Sequence, residues 1–225
     1  MSITVVNDWH FKENGDIEEG LVAAEELVEN FKANEPGVQL SLWLQAQEQP
    51  LRFFHITVFD DYEAFQKVRE TNAIQQFVER LYPEIDRTSH MAPECDVVLS
   101  SRGKLPEVKK ANTESVTVVN DWNFRENGDI HEGLSAAAEY VDWFKGNKPE
   151  VQLSLWARDR TNPLRFFHIV MFDYPEAAVE GRQWEGTVRF ADRLYPQIDE
   201  KSVKQPVCDV VLSSGGHLEA VPLRL

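Results

Sequence analysis

The chain has 225 residues, of which 42% are hydrophobic, and a formal net charge of −15 at pH 7. An acidic surface repels the phosphates of nucleic acids and of anionic membranes, so neither is an expected partner. No apolar run approaches the roughly 18 residues of a membrane-spanning helix, and the N-terminus lacks the basic and apolar regions of a signal peptide. These features favour a cytoplasmic protein.

The first half of the sequence predicts a strand from Thr4 to about Phe11, rich in Val, Trp and Phe. Asn14 and Gly15 then break the chain, and Asp16 is placed to cap a helix. That helix carries one apolar stripe at helical spacing, formed by Ile17, Leu21, Ala24, Val28 and Phe31.

Two further strands, 38–46 and 51–59, are joined by a short polar turn and therefore predict a hairpin. Residues 62–82 predict a helix that breaks near Thr71, where the apolar stripe loses register. A last strand runs from Cys95 to Ser101. The order β-α-β-β-α-β is the ferredoxin-like arrangement.

The second half of the sequence repeats the first with an offset of 113 and no gap, and 61 of 112 aligned positions are identical. A period of this length suits a whole small domain. We therefore expect domains at 1–101 and 116–214, a polar linker at 102–115 and a C-terminal tail at 215–225. The recurring segments are TVVNDW at 4–9 and 117–122, VQLSLW at 38–43 and 151–156, PLRFFHI at 50–56 and 163–169, and CDVVLSS at 95–101 and 208–214.

Both faces of the predicted strands are apolar: Phe53 and Phe59 point one way along the third strand, and Phe54 and Ile56 point the other. A sheet with helices on one face only would leave the other face polar. The sequence therefore predicts an α+β fold of two ferredoxin-like domains packed sheet to sheet as an intramolecular pseudo-dimeric α+β barrel. Association into a further homodimer stays open.

Cysteine chemistry points to packing. Cys95 and Cys208 open equivalent apolar strands, as buried core residues do. No metal site is expected, because neither cysteine has histidines near it in the sequence.

The segment from Gly15 to Ile85 resembles the antibiotic biosynthesis monooxygenase (ABM) domain of the dimeric α+β barrel superfamily. The resemblance rests on four runs: IEEGLVAAEELVENFKANEPG at 17–37, VQLSLW at 38–43, LRFFHITVFDDYEAFQKV at 51–68 and IQQFVERLYP at 74–83. Equivalent runs recur in the second copy. The resemblance implies domains that pair through their sheets, here fused in one chain, and activities such as cofactor-free oxygenation of polycyclic phenols, quinol oxidation or haem degradation.

The resemblance also implies a pocket between the sheet and the helices of each half. Asn7 lies where haem-degrading relatives place a pocket asparagine, and alternation puts His55 on the same face. A neutral imidazole suits abstraction of a phenolic proton, and the amide suits binding of the resulting oxyanion. The predicted catalytic residues are Asn7, His55, Asn120 and His168. The predicted substrate-binding residues are Trp9, Phe53, Phe59, Trp122, Phe166, Phe172 and Trp184.

Haem degradation is disfavoured, because the resemblance would require a tryptophan at Phe59 and Phe172 and a histidine near Phe77 or Phe190. No metal or organic cofactor is therefore expected. The second helical region differs most between the copies, and the second copy alone has Trp184 there. If this region roofs the pockets, the two pockets have different lids.

Alternatives remain for the roles of the histidine and asparagine residues and for the function of the protein. A histidine in an apolar strand also serves as a core residue whose nitrogens are satisfied locally, and an asparagine near a strand end also forms caps or turns. The leading function is a cofactor-independent monooxygenase acting on a small aromatic, phenolic or quinol-like molecule. The rivals are an isomerase or lyase that uses His55 as a proton shuttle, and a non-catalytic small-molecule-binding or stress-related protein.

Overall fold

The computed structural model of the protein describes residues 1–101, 103–108, 115–218 and 220–224. The chain forms two compact units of α+β structure, as the sequence predicts. Unit 1 consists of Met1–Cys95, Pro106–Thr113 and Asp209–Gly216. Unit 2 consists of Asp96–Leu105, Glu114–Cys208 and His217–Leu225. Each unit therefore takes most of its residues from one copy of the repeat and a short segment from the other.

The first half contains six strands and three helices among its described residues. In chain order they are β1 (Ile3–Phe11), α1 (Ile17–Asn34), β2 (Val38–Ala46), β3 (Arg52–Phe59), α2 (Tyr62–Arg69), α3 (Asn72–Leu81), β4 (Ile85–Met91), β5 (Glu94–Ser100) and β6 (Gly103–Val108). In unit 1, β3 lies between β2 and β1 and is antiparallel to both. Strand β4 pairs with the outer side of β1.

The second half repeats this order with less regular structure after its second helical region. Its elements are β7 (Val116–Asn123), α4 (Ile130–Asn147), β8 (Val151–Asp159), β9 (Arg165–Phe172), α5 (Pro175–Glu180), α6 (Glu185–Leu194) and β10 (Val207–Leu218), with short 3-10 turns at Gly181–Gln183, Tyr195–Gln197 and Glu200–Ser202. Strand β9 lies between β8 and β7.

Local signals explain where the helices begin. The side chain of Asp16 accepts a hydrogen bond from the backbone N–H of Glu19 at 2.9 Å, and Asp129 does the same for Glu132. The predicted break near Thr71 is confirmed, because α2 ends at Arg69 and the side chain of Thr71 caps α3 by accepting from the N–H of Ile74. None of the described helices is long and apolar enough to cross a membrane.

Three stretches differ from the predicted elements. Residues 85–91 form strand β4, which the polar sequence IDRTSHM did not indicate. Residues 103–108 form β6 inside the predicted linker, whose residues 102 and 109–114 lie outside the described structure. Strand β10 continues to Leu218, beyond the expected start of the C-terminal tail.

Candidate functional site

A cavity of about 370 Å³ lies in unit 1, lined by residues of β1, β3 and the three helices. The register of β1 against β3 places Val5 opposite Thr57, Asn7 opposite His55 and Trp9 opposite Phe53. Because side chains alternate along a strand, these residues share the face that the helices cover. Aromatic walls come from both layers: Trp9, Phe59, Phe65, Phe77 and Tyr82.

Asn7, His55 and His90 are among the polar residues that line this first cavity. The Nδ2 of Asn7 donates to the backbone carbonyl of His55 at 3.2 Å. This bond turns the Oδ1 of Asn7 toward the Nε2 of His90, at 3.4 Å. An amide oxygen only accepts, so the contact favours a proton on Nε2 of His90 and a lone pair on Nδ1.

His55 is held as a neutral core residue. Its Nε2 lies 2.9 Å from the hydroxyl of Ser41 and 2.8 Å from that of Thr57, and its ring stacks on Trp43 at 4.2 Å. Burial lowers the pKa of His55 to about 3. His55 is therefore neutral at physiological pH, and the sequence does not reveal how completely its ring is desolvated.

His90 is the histidine that the sequence reasoning missed. Burial lowers its pKa, the nearby Asp8 carboxylate opposes this by raising it, and Arg87 lowers it further. Its ring is only half-buried and lies between Tyr82 and Trp9, with centroids 5.9 and 6.4 Å away. Alignment of the two copies could have drawn attention to it, because the copies differ there: His90 aligns with Val203.

The strands that carry the polar groups are tied together by ion pairs on the opposite face. The guanidinium of Arg52 donates from Nε and Nη2 to the two carboxylate oxygens of Asp8, at 3.0 and 2.7 Å. Arg165 and Asp121 form the same pair in unit 2. Two-pronged pairs of this kind fix strand register as well as adding attraction, so they hold Asn7 and Asn120 in place.

Unit 2 contains a second cavity of about 310 Å³ at the equivalent place. Asn120 and His168 line it, and the Nδ2 of Asn120 donates to the backbone carbonyl of His168 at 3.0 Å. Burial lowers the pKa of His168 to about 3, and its Nε2 contacts the hydroxyl of Ser154 at 3.0 Å. Val203 occupies the place of His90, so this cavity has no half-buried histidine among its lining residues.

The predicted substrate-binding aromatics divide into two groups. Trp9 and Phe59 line the first cavity, and Trp122 and Phe172 line the second. The other three lie in the packed core outside the cavity linings: Phe53 against Phe11, Phe166 against Phe124, and Trp184 against Phe172. Phe53 and Phe166 lie too near the start of their strands to line a cavity, and a second phenylalanine covers each ring.

No group of three or more histidine, cysteine, aspartate or glutamate side chains in the described ranges is placed to hold a metal ion. Cys95 and Cys208 are buried, and neither forms a disulfide.

Most of the first half of the chain is similar to a known protein family. Residues 2–80 match the sequence profile of the family described as antibiotic biosynthesis monooxygenase. This part of the chain is therefore similar to an ABM domain. The span of the match includes Asn7, Trp9, His55 and Phe59, whereas His90 lies beyond it. No curated protein sequence is significantly similar to the chain.

Solved structures are similar in fold to the whole chain. A candidate monooxygenase from Fusobacterium nucleatum subsp. nucleatum ATCC 25586 aligns over 100% of this chain and 98% of its own, with 17% identity and a TM-score of 0.81. One from Lactobacillus acidophilus NCFM aligns over 99% of both chains, with 14% identity and a TM-score of 0.78. An anthrone oxidase-like protein covers 100% of this chain and 95% of its own, with 12% identity and a TM-score of 0.62. At these identities the likeness establishes the fold alone.

Proposed function

We propose that the first cavity is the active site of a cofactor-independent monooxygenase that oxidises a small phenolic or quinol-like molecule with O2. The observation that carries this proposal is the meeting of His90 and Asn7 in an aromatic-walled cavity of an ABM domain. A volume of about 370 Å³ suits a small aromatic ligand.

The reaction begins with removal of the phenolic proton. His90 accepts it on Nδ1, because Nε2 is directed at Asn7. The Asp8 carboxylate favours the charged imidazolium that results. Asn7 uses one amide hydrogen on the carbonyl of His55 and has a second for the phenolate oxygen.

Oxygen then reacts with the electron-rich ring. One electron passes from the phenolate to O2, the two radicals combine to form a C–O bond, and His90 returns its proton to the peroxide. Loss of water breaks the O–O bond and leaves a carbonyl. A ring CH2 of the keto form plus O2 thus gives C=O plus one water, so the four electrons that carbon loses reduce O2 completely.

His55 and Trp43 have a positioning role in this scheme. The backbone carbonyl of His55 fixes the rotamer of Asn7, and stacking on Trp43 fixes the ring of His55. His55 remains neutral across the working pH range, since its pKa is about 3.

The test is oxygen uptake by the purified protein with a panel of naphthols, anthrones and hydroquinones. We expect turnover with at least one class, and a loss of about 100-fold or more in kcat when His90→Gln removes the base. The wild-type rate should fall on acidification with a midpoint below pH 6.5, because the pKa of His90 is lowered and its protonated form cannot accept a proton. His90→Gln should lack this acid limb.

Val203→His is the matched control, since it alters the equivalent position of the second cavity. It should leave oxygen uptake unchanged. If His90→Gln retained wild-type kcat and pH profile, His90 would not be the base. Consumption of substrate without oxygen uptake would instead favour an isomerase or lyase on the same fold.

A further inference from the structure

The two cavities differ in whether the arginine that lines each of them is paired with a carboxylate. Arg69 and Arg182 are equivalent residues, and each lines the cavity of its own unit. In unit 1 the Nη1 of Arg69 lies 3.5 Å from the carboxylate of Glu94, which also lines the cavity. Val207 aligns with Glu94 in the second copy, so this neutralising carboxylate is lost.

Arg182 is consequently an uncompensated cation. It is exposed, it forms no ion pair with any residue that the structure describes, and no aspartate or glutamate lines the second cavity. The chain as a whole has a formal net charge of −15. A cation at the wall of a cavity that no carboxylate lines marks a place where an anion gains attraction.

The walls of the second cavity are also more polar. Tyr140 and Thr187 line it, and their hydroxyls contact each other at 3.0 Å. The aligned residues in the first cavity are Leu27 and Ile74, which are apolar. Gln205 adds an amide where the first copy has an alanine. Burial raises the pKa of Tyr140, so its hydroxyl keeps its proton and can donate to a ligand.

From these differences we infer that the second cavity is a binding site for a small aromatic carboxylate, distinct from the oxygenase site of unit 1. The carboxylate pairs with the guanidinium of Arg182, a group whose planar fork suits carboxylates. The ring occupies the space beside Trp122, Phe172 and Phe190. No proton transfer is expected there, because Val203 replaces the base. The inference does not depend on the reaction proposed for unit 1.

The experiment is isothermal titration of the full chain with naphthalene-2-carboxylate, and with 2-naphthalenemethanol as its neutral counterpart. We expect one carboxylate to bind per chain. Arg182→Gln should weaken its binding by about tenfold or more, the usual effect of removing a charged hydrogen bond. The neutral alcohol should bind the wild type and this variant alike. Arg182→Lys should retain part of the affinity for the carboxylate.

Arg69→Gln is the matched control and should change carboxylate affinity by less than about twofold, because Glu94 already neutralises Arg69. Thr187→Val should also weaken carboxylate binding, because it removes a hydroxyl that lines the cavity and contacts Tyr140. Equal affinity of the carboxylate for wild type and Arg182→Gln would overturn the inference. So would equal losses from Arg69→Gln and Arg182→Gln, or no carboxylate binding by the wild type.

Discussion

At the scale of single residues, the three histidines of the two cavities show that surroundings decide protonation. His55 and His168 are 5% exposed, and each contacts a serine hydroxyl and stacks on the indole of a tryptophan. His90 is half-buried and feels Asp8. In the scheme proposed here His55 therefore positions Asn7, and the base, His90, lies on a polar strand that carries no apolar pattern.

The buried histidines predict a loss of stability in acid. The pKa of His55 and of His168 is about 3 in the folded protein, against about 6.5 in an unfolded chain. Between these values the unfolded state binds more protons, so the stabilising contribution is complete above pH 6.5 and is lost as pH falls. Each histidine contributes a slope of up to about 1.4 kcal/mol per pH unit in this window.

Urea unfolding between pH 4.5 and 6.5 measures this slope. The double variant with His55→Gln and His168→Gln should be less stable than wild type at pH 7 but should show a shallower dependence on pH. His131→Gln, on the exposed surface of α4, should keep the wild-type slope. An unchanged slope in the double variant would show that the two buried histidines do not carry the effect.

At the scale of elements, the second helical region differs between the copies in a correlated way. A Cβ added to Gly186 of α6 would collide with the ring of Trp143 of α4. The first copy has Ala73 and Asn30 at these positions. The glycine in α6 is therefore explained by the tryptophan that covers it.

This pairing reverses the usual effect of a helical glycine. Gly→Ala inside a helix ordinarily stabilises by about 1 kcal/mol, but Gly186→Ala should destabilise the protein because Trp143 must move. Adding Trp143→Asn should recover a large part of the loss, since it recreates the combination in the first copy. Thermal unfolding of both single variants and the double variant measures the coupling, and additive changes would contradict it.

Patterns of two and of 3.6 residues were enough to predict most elements and the face that lines the first cavity, because side chains alternate between the two faces of a strand. Asn7, His55 and Phe59 fall together for that reason. Strand β4 could not be predicted, because its side chains are largely exposed and pairing with β1 alone defines it. Thus the sequence did not indicate that His90 faces Asn7.

At the scale of the whole molecule, the repeat in the sequence does not indicate which copy each terminal strand joins. Unit 1 contains Asp209–Gly216, and the backbone N–H of Ser41 donates to the hydroxyl of Ser214 at 2.9 Å. Unit 2 contains Asp96–Leu105, and the N–H of Ser154 donates to the hydroxyl of Ser101 at 2.9 Å. The segment CDVVLSS is identical at 95–101 and 208–214, so composition cannot distinguish its two possible partners.

This identity predicts how the first half behaves alone. A fragment of residues 1–112 lacks Asp209–Gly216, but it carries the same CDVVLSS sequence and can supply it to a second copy of itself. We expect light scattering after size exclusion to show a dimer with cooperative unfolding. A fragment of residues 1–94, which lacks the segment, should fail to form a stable dimer because the edge of β2 stays unpaired. A stable, cooperatively folded monomer of 1–112 would show that unit 1 does not require a segment from the other copy, and that its folding does not depend on the fusion.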